Sequence, residues 1–87
     1  MNEIVEKALN QEKILKGRGY QASLAHKLGI GASTFWNYVN GFGVSEIMET
    51  KIIIGCNIVI EHPETNKITQ EMRAEWYLKN KHSVSKQ

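Results

Sequence analysis

Apolar residues recur at helical spacing through most of this chain. Over residues 2–16, Ile4, Val5, Ala8, Leu9 and Leu15 fall near one face with Glu and Lys between them, which predicts an amphipathic helix. Asn2 is placed to cap that helix and Gly17 to stop it. Gly17-Arg18-Gly19 then reads as a flexible basic link. Leu24, Ala25 and Leu28 make the apolar face of a second, short helix, and Gly29 stands where it must end. Glycine takes the left-handed conformation there without a Cβ penalty. Ile30 is the single apolar residue of the turn and plugs the corner. Gly31 is an acceptable cap for a third helix with Phe35, Tyr38 and Val39 as its buried stripe, and Gly41 ends that helix. Two short helices, a glycine-containing turn and the small Ala25 at closest approach describe a helix-turn-helix over residues 21–41.

Residues 44–61 admit two readings. Ser45 can cap a helix continuing through Ile47, Met48, Ile52 and Val59. Ile and Val dominate Ile52 to Ile60, however, which favours strand, and Gly55-Cys56 fits a two-residue hairpin turn. The helix is the preferred expectation, giving an all-α domain of about five helices. The alternative is an α+β fold with residues 52–60 as a β-hairpin. Either way the segment is apolar on every side, which points to a buried core helix or to a dimer interface through Ile52, Ile54, Ile58 and Ile60. Pro63 stops whatever precedes it. Thr69 then caps a last helix anchored by Met72, Trp76 and Tyr77. Residues 1–78 thus form a single domain, and the basic, polar tail 79–87 is expected to be disordered.

The 87-residue length allows one core and no separate cofactor and substrate domains. Charge changes the picture more than size does. All nine acids are glutamates, and none lies between Lys13 and Gly41, a stretch carrying Lys13, Lys16, Arg18 and Lys27. The flanks are acidic and the tail is basic, so the net charge of +2 conceals a basic window over the helix-turn-helix. Such a window suits a polyanion, although four cations on solvated faces would look the same. One cysteine excludes an internal disulfide framework and fits a reducing compartment. The Ile52–Ile60 run is too short to cross a bilayer and is not N-terminal, so neither a membrane span nor a secretory signal is expected.

Residues Gln21 to Gly41 resemble the helix-turn-helix of the Cro and lambda-repressor-like phage regulators. The matching pattern is Gln21, Ala25, Leu28-Gly29-Ile30, Ser33, Phe35, Tyr38 and Asn40-Gly41. Downstream, Ile60-Glu61, Ile68-Thr69 and Glu71-Met72-Arg73 look like the closing segment of the prophage YdaS-like (Cro-like) subgroup. Ala32 stands where many relatives carry a polar base-reading residue, and Ala74 where the ending commonly has proline. The resemblance implies a cytoplasmic, nucleoid-associated transcriptional repressor of phage or prophage type that binds double-stranded operator DNA as a homodimer. It also implies phosphate contacts from Gln21 and Asn40.

In a helix-turn-helix the second helix enters the major groove, N-terminal residues nearest the bases. With Phe35, Tyr38 and Val39 turned inward, its outward face is Ala32, Ser33, Trp36, Asn37 and Asn40. Ser33 and Asn37 are the hydrogen-bonding readers, asparagine being able to bind adenine bidentately. Ala32 offers contact to a thymine methyl, and Trp36 packs on sugar or thymine unless it is an ordinary core aromatic. Lys27, Arg18 and Lys16 are phosphate candidates. His26, His62 and His82 with Cys56 show no metal-ligand spacing, and no Gly-rich phosphate loop or Ser-His-acid grouping is present. Neither a metal, a cofactor nor an enzymatic activity is therefore expected. The rival function is an antitoxin-like interaction module that neutralises a co-encoded toxin, docking through residues 52–60 or the last helix.

Overall fold

A computed structural model describes residues 2–85, with side-chain surroundings given for 2–80. Five helices follow one another: α1 (Glu3–Lys16), α2 (Tyr20–Leu28), α3 (Ala32–Val39), α4 (Glu46–Glu61) and α5 (Gln70–Ser85). No strand occurs among the described residues, so the domain is all-α and the hairpin alternative for 52–60 does not form.

Short-range chemistry fixes the helix ends. Asn2 accepts from the Ile4 amide at 2.7 Å, Ser45 from Met48 at 3.1 Å and Thr69 from Met72 at 3.1 Å. Each bond satisfies an amide that the first helical turn leaves without an intrahelical partner. At the other end of α2, the Ile30 amide donates to the Ala25 carbonyl and the Gly29 amide to His26. This paired closure needs Gly29 in the left-handed region, where its φ is 74°.

The core is built on α4. Ile52, Cys56, Ile58 and Val59 are buried there with Val5, Ala8 and Leu9 of α1, Leu24, Ala25 and Leu28 of α2, Phe35 of α3, and Ile68. α1 packs on α2 and α4, while α4 also meets α2 and α5. Gly55 lies at the closest approach. A Cβ at this position would stand 2.5 Å from Leu28 Cδ2, 3.0 Å from an Arg73 guanidinium nitrogen and 3.2 Å from Ile68 Cδ1. A hairpin would spend Gly55 on a turn, whereas the helix uses its missing side chain to admit α2 and α5.

Two of the four expected interface residues, Ile52 and Ile58, are thereby corrected: they are 0% and 2% exposed within their own domain. Ile54 and Ile60 are half-buried against the same core. Leu15 is 55% exposed, because the last buried place on the α1 stripe is taken by Glu12 and the chain leaves the helix at Gly17. Tyr77 is exposed, while Met72 and Trp76 pack on the core. The expected disordered tail is helical as far as Ser85, there being no Gly or Pro between Glu64 and that residue to stop it. Lys86 and Gln87 lie outside the described residues.

The largest departure concerns Lys27. Its ammonium is buried and donates to Glu12 Oε1 at 2.8 Å and to the Pro63 carbonyl at 3.0 Å. Ser23 donates to the other Glu12 oxygen at 2.6 Å. The network ties α1, α2 and the loop before α5 together, and removes Lys27 from the phosphate candidates.

Breaking a buried pair from one side leaves an uncompensated charge, so Lys27→Ala or Glu12→Ala should cost about 3–5 kcal/mol. The joint replacement Glu12→Leu/Lys27→Met should recover much of that loss in urea unfolding. Burial pushes the Cys56 thiol up from 9.0 to about 12, against the smaller opposing effect of Arg73. The folded state therefore holds this proton more tightly than the unfolded chain does. The resulting stability is fully present below pH 9 and is lost progressively as pH rises towards 12. Cys56→Ala should flatten the fall in unfolding free energy over that window; an unchanged slope would assign it to other groups.

Candidate nucleic-acid interface

α2, the three-residue turn Gly29-Ile30-Gly31 and α3 form the helix-turn-helix. α3 packs mainly against α2 and is held from inside by Phe35, which is fully buried. Tyr38 and Val39 flank it, half-buried, and the Tyr38 hydroxyl donates to Glu49 of α4 at 3.2 Å. Burial first, and then the Glu49 carboxylate, push the Tyr38 phenol above its ordinary value. Its hydroxyl accordingly remains a donor across the neutral range.

The opposite side of α3 is open. Ala32, Ser33, Trp36, Asn37 and Asn40 are all exposed, in agreement with the face expected from helical spacing. α3 carries no charged residue, so its outward face places no carboxylate against a phosphate backbone. Gly31 caps it in an extended conformation without a side-chain hydrogen bond. The first-turn amides consequently point outward beside Ser33, an arrangement suited to an anionic oxygen. Asn37 makes no side-chain hydrogen bond among the described contacts, whereas Asn40 turns its amide back on the Trp36 carbonyl at 2.8 Å. Asn40 therefore acts as the helix-ending cap, which takes up one of the donors that a phosphate contact would use.

The end of α3 holds a residue that periodicity passes over. Phe42 donates its amide to Asn37 O at 2.8 Å and Gly41 donates to Tyr38 O at 3.2 Å, with Gly41 at φ 85°. This repeats the closure of α2. It brings the Phe42 ring onto Trp36, with centroids 5.9 Å apart and planes inclined by 19°. Both rings remain about half exposed or more, at 50% for Trp36 and 59% for Phe42. The signal in the sequence is an aromatic directly after Asn40-Gly41, since the residue following a helix-ending glycine often packs on the last turn.

Cations border the motif on two sides. Lys16 and Arg18 are exposed at the corner before α2, and Lys13 lies over the Tyr20 ring at 5.8 Å. Lys67, unassigned by spacing, crosses the turn; a Cβ on Gly29 would be 3.6 Å from its Cε. Gln21 is half-buried at the second position of α2. Arg73 reaches beneath the motif and donates to the Leu28 carbonyl at 2.9 Å and to the Lys51 carbonyl at 3.0 Å. Burial lowers its pKa, but a guanidinium stays charged there and complements the C-terminal end of α2. The described residues include no cluster of His, Cys or acidic side chains arranged to hold a metal. No described helix is long and apolar enough to cross a membrane.

Phe42→Ala should cost about 0.5–1.5 kcal/mol in thermal unfolding and increase quencher access to Trp36, as measured in a Trp76→Phe background. Unchanged quenching would mean that the stack does not shield the indole.

Comparison of the chain with family models, with curated proteins and with solved structures gives no match.

Proposed function

We propose that this protein is a sequence-specific DNA-binding regulator, a repressor of phage or prophage type, that occupies operator DNA as a dimer in the bacterial cytoplasm. The observation that carries the reading is the acid-free outer face of α3. It has a free N-terminal turn and is displayed by a helix-turn-helix with Lys16, Arg18 and Lys67 around it. The resemblance of Gln21–Gly41 to the Cro and lambda-repressor-like motif supports the same reading.

The residues divide into two roles. Ser33 and Asn37 read base edges, Asn37 by bidentate pairing with adenine, and Ala32 contacts a thymine methyl. Trp36, backed by Phe42, packs on sugar or methyl groups. Lys16, Arg18, Lys67, Gln21 and the first-turn amides of α3 position the backbone and carry no sequence information. No cofactor takes part. Repression follows from occupancy of a promoter.

Selection from random duplex DNA should recover a two-fold-related site with half-sites about one helical turn, roughly 34 Å, apart. With about three phosphates neutralised per protomer, log affinity against log salt should fall with a slope of about −5. Asn37→Ala should cost about 1–3 kcal/mol at one base position, while Arg18→Ala should weaken all sequences alike. A slope near zero, or no enriched site, would end this reading.

A further inference from the structure

The N-terminal half of α4 carries a strip that its own domain covers only in part: Ile47 and Thr50 are exposed, and Ile54 is half-buried. Ile47 is 84% exposed, although it belongs to the helix on which the whole core is built. Ile47, Thr50 and Ile54 follow one another along that side and border a shallow groove, with Arg73, Ala74 and Tyr77 of α5 on its other side. Tyr77 is itself 45% exposed. The strip is poorly suited to DNA, because Glu46 and Glu49 stand beside it and Glu49 already accepts from Tyr38.

Its spacing names an occupant. Ile47, Thr50 and Ile54 occupy the a, d and a positions of a heptad, with Glu46 before the first and Lys51 after the second. In this register Glu46 and Lys51 flank the apolar strip on opposite edges. When two identical helices pack in parallel about a two-fold axis, the residue before a faces the residue five places later on its partner. Glu46 of one copy then meets Lys51 of the other, twice per dimer. A self-binding face must complement its own charges, and this one does.

We propose that the protein dimerises through this strip, the two α4 helices packing in parallel with Ile47, Thr50 and Ile54 of each copy set against the same residues of the other. Six residues separate α3 from α4, so an axis at Ile47 fixes the two α3 helices relative to each other. The inference deepens the dimer of the proposed function by giving it a surface, and its test is made without DNA.

Sedimentation equilibrium should give twice the 9.9 kDa chain mass for the unmodified protein. Ile47 is exposed, so Ile47→Glu should keep the helical spectrum and melting temperature while raising the dimer dissociation constant at least about tenfold. Glu46→Lys should weaken the dimer, and the swap Glu46→Lys/Lys51→Glu should restore it. A protein that stays monomeric at millimolar concentration, or a dimer indifferent to Ile47→Glu, overturns the proposal. A dimer that Ile47→Glu breaks but the charge swap does not restore overturns the parallel register. Loss of DNA binding with the dimer intact would instead count only against the operator reading.

Discussion

Removing a carboxylate or an ammonium from water costs several kcal/mol per ion, and Glu12 and Lys27 are buried together, with both carboxylate oxygens accepting a hydrogen bond and the ammonium donating two. Such a pair adds little net stability over an apolar packing of the same volume. What it does is exclude alternatives. Any arrangement of α1 against α2 that separates these two residues strands a charge in a core of Val, Leu and Ile. The Pro63 carbonyl extends the constraint to the segment between α4 and α5, and the Ile68 amide bonds the Lys27 carbonyl at 2.9 Å from the same side. The position of the helix-turn-helix on the rest of the domain is thereby specified by polar geometry and not by hydrophobic packing alone.

Given that anchor, α3 needs little of its own. One fully buried phenylalanine and two half-buried neighbours hold it, and of its outer face Ala32, Ser33 and Asn37 are spared structural duty. The two glycine-ended closures set where it starts and stops, so the side chains facing outward are fixed in register without being covered. The same economy has a chemical cost at Asn40, whose amide is taken up in ending the helix.

The caps at Asn2, Ser45 and Thr69, and the glycine stops at Gly29 and Gly41, were legible because each depends on bonds spanning at most five residues. The outward face of α3 was legible for a similar reason, its inner stripe being unambiguous. Lys27, Ile52 and Ile58 were not. Whether a residue is covered depends on which helices meet, and the partner of Lys27 lies fifteen positions upstream. Glu12 sits just outside the acid-free window, so a count of charges along the chain separated the two residues that the fold joins. The β-branched content of 52–60 argued for strand, and only the contacts of Gly55 with Leu28, Ile68 and Arg73 reveal why a glycine belongs inside a helix there. Phe42 stands between two glycines in what reads as a loop, so no periodicity assigns its ring to α3.

Arg73 carries a consequence for the order in which the molecule can be completed. Its guanidinium bonds the Leu28 and Lys51 carbonyls, 45 and 22 residues earlier in the chain. During synthesis the glycine closures of α2 and α3 rest on bonds spanning at most five residues, all made within the motif itself. The end of α2 nevertheless keeps a carbonyl without its cation until the last helix has emerged. Maturation of the helix-turn-helix is in this sense vectorial, and α5 is the latch that closes a motif translated long before it.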